Sequence, residues 1–219
     1  MHFLRVGVSG LLLSAAVAMT AEAQGGRQVD FGVLAGGTFS KFGGADKDIF
    51  GAGSSKTRVG FAAGGFVAVS LAPAFAIEPE VLFVQKGQKG ELTGGTAQVK
   101  LSYLEVPLLL KVRMPAKGNG SQFSPHAYAG PAIGFKTSCT IATHPTGGSA
   151  TSQSCEDAGT DAKSTDISLV LGAGVDIGRA IITARYDLGL KTIDSSSSPD
   201  DVKNRTFYLL AGWTFRTPR

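Results

Sequence analysis

The chain has 219 residues, 43% hydrophobic but only 17% charged, with 30 glycines and a net charge of +4. That balance argues against an ordinary soluble enzyme and suits a β-rich chain with tight turns and crowded backbones. The positive excess is spread along the chain rather than clustered, which argues against a nucleic-acid partner.

The first residues point to export. Arg5 supplies a positive n-region, Val6 to Met19 an apolar h-region and Ala21-Glu22-Ala23 an A-x-A site, so residues 1–23 read as a secretory signal peptide cut before Gln24. The apolar run is too short to span as a helix. No later stretch approaches the roughly 18 uninterrupted apolar residues a transmembrane helix needs. Residues 24–219 then form one exported domain, which can enter a membrane only as strands.

That domain breaks into eight stretches of period-two alternation, at 29–40, 59–71, 74–86, 100–114, 124–137, 166–178, 180–192 and 204–216. Each is well beyond the five or six residues or so of a soluble strand and long enough for a tilted membrane strand. In the first, Phe31, Val33, Ala35 and Phe39 oppose Asp30, Thr38 and Ser40. In the second, Val59, Phe61, Val67 and Val69 oppose Gly60, Ala62, Gly64, Phe66 and Ser70; in the third, Phe75, Ile77, Val81 and Phe83 oppose Glu78, Glu80 and Lys86.

The fourth contains Tyr103-Leu-Glu-Val-Pro-Leu-Leu-Leu-Lys-Val112, which would be costly inside a soluble sheet: Glu105 and Lys111 need partners and Pro107 lacks a ladder donor. By parity it resolves. Ser102, Leu104, Val106, Leu108, Leu110, Val112 and Met114 share one face, and Tyr103, Glu105, Pro107, Leu109, Lys111 and Arg113 the other.

The later stretches repeat the split. Ala127, Ala129, Ile133 and Phe135 oppose His126, Tyr128 and Lys136; Ile167, Leu169, Leu171, Val175 and Ile177 oppose Asp166, Ser168 and Asp176. Ile182, Ala184, Tyr186, Leu188 and Leu190 oppose Thr183, Arg185, Asp187 and Lys191; Phe207, Leu209, Ala211, Trp213 and Phe215 oppose Thr206, Tyr208 and Thr214. Arg205 is the exception on an apolar face, at a strand end from which it reaches an interface. A Lys or Arg facing lipid at mid-bilayer would cost about 2–4 kcal/mol, so this separation fits an apolar face turned to lipid.

The connections alternate in length. Those at 41–58, 87–99, 138–165 and 193–203 are long and rich in Gly, Ser, Thr, Asp and Lys; those at 72–73, 115–123 and 179 are shorter. An even-stranded outer-membrane barrel with both termini in the periplasm has that order of long external loops and short turns. Gly60, Gly64, Gly130, Gly134, Gly172, Gly174, Gly189 and Gly212 fall on the mixed face, where an eight-stranded barrel is crowded. The chain ends on an alternating aromatic strand, Phe207 to Phe215, similar to the signal by which barrel-assembly machinery recognises its clients, although Arg216-Thr-Pro-Arg219 follows the last Phe.

Cys139 and Cys155 lie in the long 138–165 connection, and in an oxidising compartment they are expected to pair. Closing that loop is worth about 3 kcal/mol in the chain-entropy model. A metal site fits less well, because only His144 lies between them and the spacing matches no ligand pattern.

"FAIEPEVLFVQKG" (75–87), "YLEVPLLLK" (103–111), "YAGPAIGF" (128–135), "GAGVDI" (172–177) and "RYDLGLKTI" (185–193) occur in that order. Together they resemble the PorT-like outer-membrane β-barrel family over nearly all of the mature chain. The resemblance implies a small bacterial outer-membrane barrel and brings no catalytic residues and no cofactor.

The expectation is therefore an all-β, eight-stranded antiparallel up-and-down transmembrane β-barrel in the bacterial outer membrane. Glu78, Glu80, Glu105, Lys111, Arg113, Arg185 and Asp187 would share a narrow polar lumen as a paired network, with Glu80, Glu105 and Arg185 plugging it. Its partners would be outer-membrane lipid and the assembly machinery, and the 138–165 loop its binding surface. Three other readings stand beside this one. A soluble, lipocalin-like ligand carrier needs the apolar faces turned inward. A narrow pore needs space that eight strands do not usually leave. A lipid-modifying enzyme needs a nucleophile, base and acid in reach, and His126 and His144 lie in no recognisable motif.

Overall fold

A computed structural model describes residues 28–43, 55–114, 123–159, 163–191 and 202–216. The expected signal peptide lies outside them. Long, alternating, β-branched and aromatic stretches pair here as nine strands: β1 (Val29–Gly43), β2 (Ser55–Ala72), β3 (Phe75–Leu92), β4 (Gly95–Arg113), β5 (Phe123–Pro145), β6 (Thr151–Ser154), β7 (Thr165–Ile177), β8 (Ala180–Gly189) and β9 (Lys203–Arg216). Each long strand pairs antiparallel with its sequence neighbour, apart from β6, and β1 pairs with β9 to close the ring. Eight strands make the barrel, as expected; β6 is a short ninth that pairs only with the far end of β5.

The two faces meet different surroundings. Phe31 is 46% exposed and Leu108 51%, and the outward side chains of every barrel strand follow them. Glu80, Glu105, Lys111, Arg185 and Asp187 are buried in the interior. An apolar outside around a charged inside is the inverse of a ligand carrier, and it excludes the lipocalin-like alternative. The outer surface suits hydrocarbon, and closure leaves no open sheet edge in it.

The lumen is not purely polar, in keeping with a mixed inward face that carries Ala62, Phe66, Leu109 and Tyr128. Leu34, Ala62, Phe66, Leu82, Val84, Ile181 and Leu210 pack there with Tyr208, and Leu109, Tyr128, Ala132 and Val170 form a second apolar group. Eight strands leave an interior that side chains fill. Gly172 shows how tightly: a Cβ there would lie 2.4 Å from the Tyr128 ring.

Two sequence expectations need correction. The proposed 87–99 loop is strand: β3 and β4 run on to a two-residue turn at Thr93–Gly94, where Gly94 takes φ +87°. Likewise β5 continues to Pro145, well into the proposed 138–165 loop, and turns back as β6. Ser102 is buried although Leu101 and Tyr103 on either side of it turn inward, and the β4–β5 register slips beside it, between Ser102 and Tyr103. Pro107 is accommodated within β4 beside a gap in the ladder, which skips from Pro107↔Ala132 to Leu110↔Ala129.

The turns at 73–74 and 178–179 lie at one end with the start of β1 and the end of β9. In outer-membrane barrels that is the periplasmic end. At the other end the tops of β3, β4 and β5, with β6, extend beyond the shorter β7 and β8 as an external sheet.

Candidate functional site

Period-two alternation delivers one inward side chain every second residue, so the charged residues of β3, β4 and β8 converge on the axis. They form tiers ordered along the strands. At the periplasmic end Arg113 lies 4.0 Å from Asp30 and 3.9 Å from Asp176, and His126 Nδ1 is 3.3 Å from Asp176. Next, Lys111 Nζ donates to Glu78 Oε2 at 3.0 Å and stands over the Phe66 ring.

The middle tier is a two-bond fork: Arg185 donates to both carboxylate oxygens of Glu80, at 2.6 and 3.0 Å. Its guanidinium also lies over the rings of Tyr128 and Tyr208. Planar, bidentate geometry of this kind is the strong form of an ion pair.

The tier nearest the external end is the most crowded. Lys86 Nζ lies 2.5 Å from Glu105, 2.5 Å from Asp187 and 3.5 Å from Asp166. Tyr208 donates its hydroxyl to Glu105 at 3.1 Å and to Asp187 at 3.3 Å, while Asn204 donates to Asp166 at 2.8 Å. Lys86 is 0% exposed, and its three carboxylates are buried with it. Above it Phe42, Leu101, Tyr103 and Val202 form an apolar layer, joined by Val99 and Cys139.

All seven charged residues singled out from the sequence face this interior, but not as one cluster. Glu80 and Arg185 pair with each other, whereas Glu105 belongs with Lys86 and Asp187. The network expected from sequence omits Lys86, Asp166 and Tyr208, although parity puts all three on the inward face, and it omits Asn204. The signal was available for Lys86, which carries the inward parity of Glu78 and Glu80.

Outside the membrane belt the external sheet carries the disulfide. Cys139 and Cys155 are bonded, with Cα atoms 5.4 Å apart, and fasten the turn after β6 to β5. His144 faces Gln98 across the strands at 3.3 Å, and Lys56 pairs with Glu91 in the open. That contact holds the Glu91 carboxyl below its ordinary range. Among the described residues no group of His, Cys, Asp and Glu could hold a metal ion.

Against this geometry the chain matches, over residues 20–195, the family described as outer membrane protein beta-barrel domain. The chain belongs to that family. It is a small outer-membrane β-barrel protein of the bacterial outer membrane. Among solved structures it is similar to OprG of Pseudomonas aeruginosa, with a TM-score of 0.45 and 14% identity over 90% of this chain and 100% of that one. It is also similar to Ail, the attachment invasion locus protein of Yersinia pestis, in complex with sucrose octasulfate. There the TM-score is 0.43 at 17% identity, over 86% of this chain and 99% of the other. Neisserial surface protein A is similar with a TM-score of 0.43 and 14% identity, over 85% and 97%. No curated protein sequence matches the chain.

Proposed function

We propose that this barrel is a closed, non-catalytic wall element of the PorT-like type that acts through its external sheet. The observation that carries the reading is the filled lumen. The tiers at Lys111–Glu78, Arg185–Glu80 and Lys86–Glu105–Asp187 plug the interior with paired charge, and the layer at Phe42, Leu101, Tyr103 and Val202 caps it. A solute would have to break buried ion pairs to pass, at several kcal/mol each.

A non-catalytic role is supported by the engagement of both histidines. His126 is buried, 3.3 Å from Asp176 and stacked on Tyr128, and His144 is turned to Gln98. What remains available to a partner is the disulfide-fastened sheet of β3 to β6, the successor of the 138–165 loop as binding surface. Export through a signal peptide at 1–23, with 24–219 as the barrel domain, completes the reading. So does recognition of β9, Phe207 to Phe215, by barrel-assembly machinery.

Planar-bilayer recording of the purified barrel tests the carrying observation. Small, irregular conductance is expected; a large, stable channel would overturn the closed reading.

A further inference from the structure

Among the described outward-facing residues of the barrel wall, one directly opposed cross-strand pair carries two like charges. Lys41 on β1 is registered directly opposite Arg205 on β9, and both are exposed. Like charges placed opposite one another on one sheet face destabilise it. No carboxylate among the described residues pairs with either.

The surroundings are built for a headgroup rather than for water. One step toward the membrane centre Phe39 and Phe207 meet at 6.2 Å between ring centroids, with Tyr186 registered beside Phe207. Aromatic rings of this kind mark the headgroup level of a bilayer. Leu188 flanks Arg205 on the other side. The Arg205 side chain runs away from the rings across Gly43, where a Cβ would sit 2.3 Å from its Nε, so only glycine leaves it that path. The two cations therefore stand just above an aromatic floor, at the external edge of the hydrocarbon belt.

We propose that Lys41 and Arg205 form a binding site for the phosphate of an outer-leaflet lipid, whose acyl chains lie along Phe39, Phe207 and Leu188. One dianionic or monoanionic phosphate between the two cations removes their repulsion and gives the guanidinium its two-pronged acceptor. The site is independent of whether the lumen conducts or the external sheet binds a partner.

The test uses the full-length barrel, purified folded in dodecyl maltoside micelles doped with either dioleoylphosphatidate or dioleoylglycerol, which share acyl chains and differ in the phosphate. The readout is the midpoint temperature at which the heat-modifiable gel band shifts. Wild type is expected to unfold at higher temperature with phosphatidate. The Lys41→Gln/Arg205→Gln variant is expected to lose more than half of that rise while unfolding at or above the wild-type temperature in dioleoylglycerol, where its mutual repulsion is gone. A control variant, Lys89→Gln/Lys100→Gln, removes equal charge from the external sheet and should keep the rise. The proposal is overturned if wild type shows no rise, if the control loses as much as the test variant, or if inorganic phosphate alone reproduces the rise.

Discussion

The barrel wall and the external sheet are made by the same strands, yet they obey different rules. Within the membrane belt β3, β4 and β5 separate apolar from charged residues at every step, because one face meets hydrocarbon and the other a packed lumen. Above it the same three strands run through Lys89, Glu91, Gln98, Lys100 and Thr140 with no such separation. Water reaches the outer side there, so a charge costs little. The consequence is that charge in the wall is structural and must be paired, whereas charge on the sheet is free to vary or to recognise.

The largest effect should come from Lys86→Met. It leaves Glu105, Asp187 and Asp166 buried together without their cation, and stranding a buried charge costs about 3–5 kcal/mol. Urea titration in detergent is expected to show a barrel that loses its compact band far below the wild-type midpoint, or never forms it. A wild-type midpoint would mean the lumen tolerates unpaired charge, and the contrast between wall and sheet would fail.

Arg185→Leu should follow closely, at about 3 kcal/mol, since Glu80 has no other salt-bridge partner among the described residues. The double variant Glu80→Leu/Arg185→Leu sharpens the point. Apolar side chains of similar size restore most of that loss, because neither charge then has to be desolvated. Glu105→Leu should cost less, about 1–3 kcal/mol: Tyr208 loses one acceptor, but Lys86 retains Asp187. An unchanged unfolding temperature for Glu105→Leu would remove it from the plug.

Removing the disulfide probes the other region. Cys139→Ser/Cys155→Ser forfeits about 3 kcal/mol of loop-closure restraint, but the restraint acts on the turn after β6 and not on the ring. The heat transition of the barrel should stay in place while limited proteolysis begins to cut between 139 and 155. A fall in the barrel transition itself would show that the sheet and the wall unfold as one unit.

The same contrast explains what could be read from sequence. The ring was legible because two immiscible surroundings impose a strict period of two, and eight strands follow from it. The external sheet was not. Lys86-Gly-Gln-Lys-Gly-Glu-Leu-Thr-Gly-Gly-Thr96 is rich in turn formers, and nothing in its composition separates a loop from a hairpin held by pairing between β3 and β4. Ending the third strand at Lys86 kept that residue on the inward face but outside the expected network, although it stands at the centre of the most crowded tier. Asp166 was lost to the paired network the same way, as the first residue of its strand. The pairing partners inside the lumen were also beyond reach: parity shows that Glu80, Glu105 and Arg185 share an interior, but which carboxylate meets which cation depends on ring closure across β3, β4 and β8.

The smallest effect should be Lys56→Ala. Its ammonium pairs with Glu91, and both side chains stand more than half exposed. Below its ordinary range in the folded state, the Glu91 carboxyl would add stability near neutral pH and lose it as pH falls through the carboxylate range. Solvent and salt screen that contribution almost entirely, and holding two long side chains in register consumes conformational freedom. Urea midpoints of wild type and Lys56→Ala are therefore expected to coincide at both neutral and acidic pH. A separation between them that disappears in high salt would show that the external sheet excludes more water than its exposure implies, and would move its charges toward the rules of the wall.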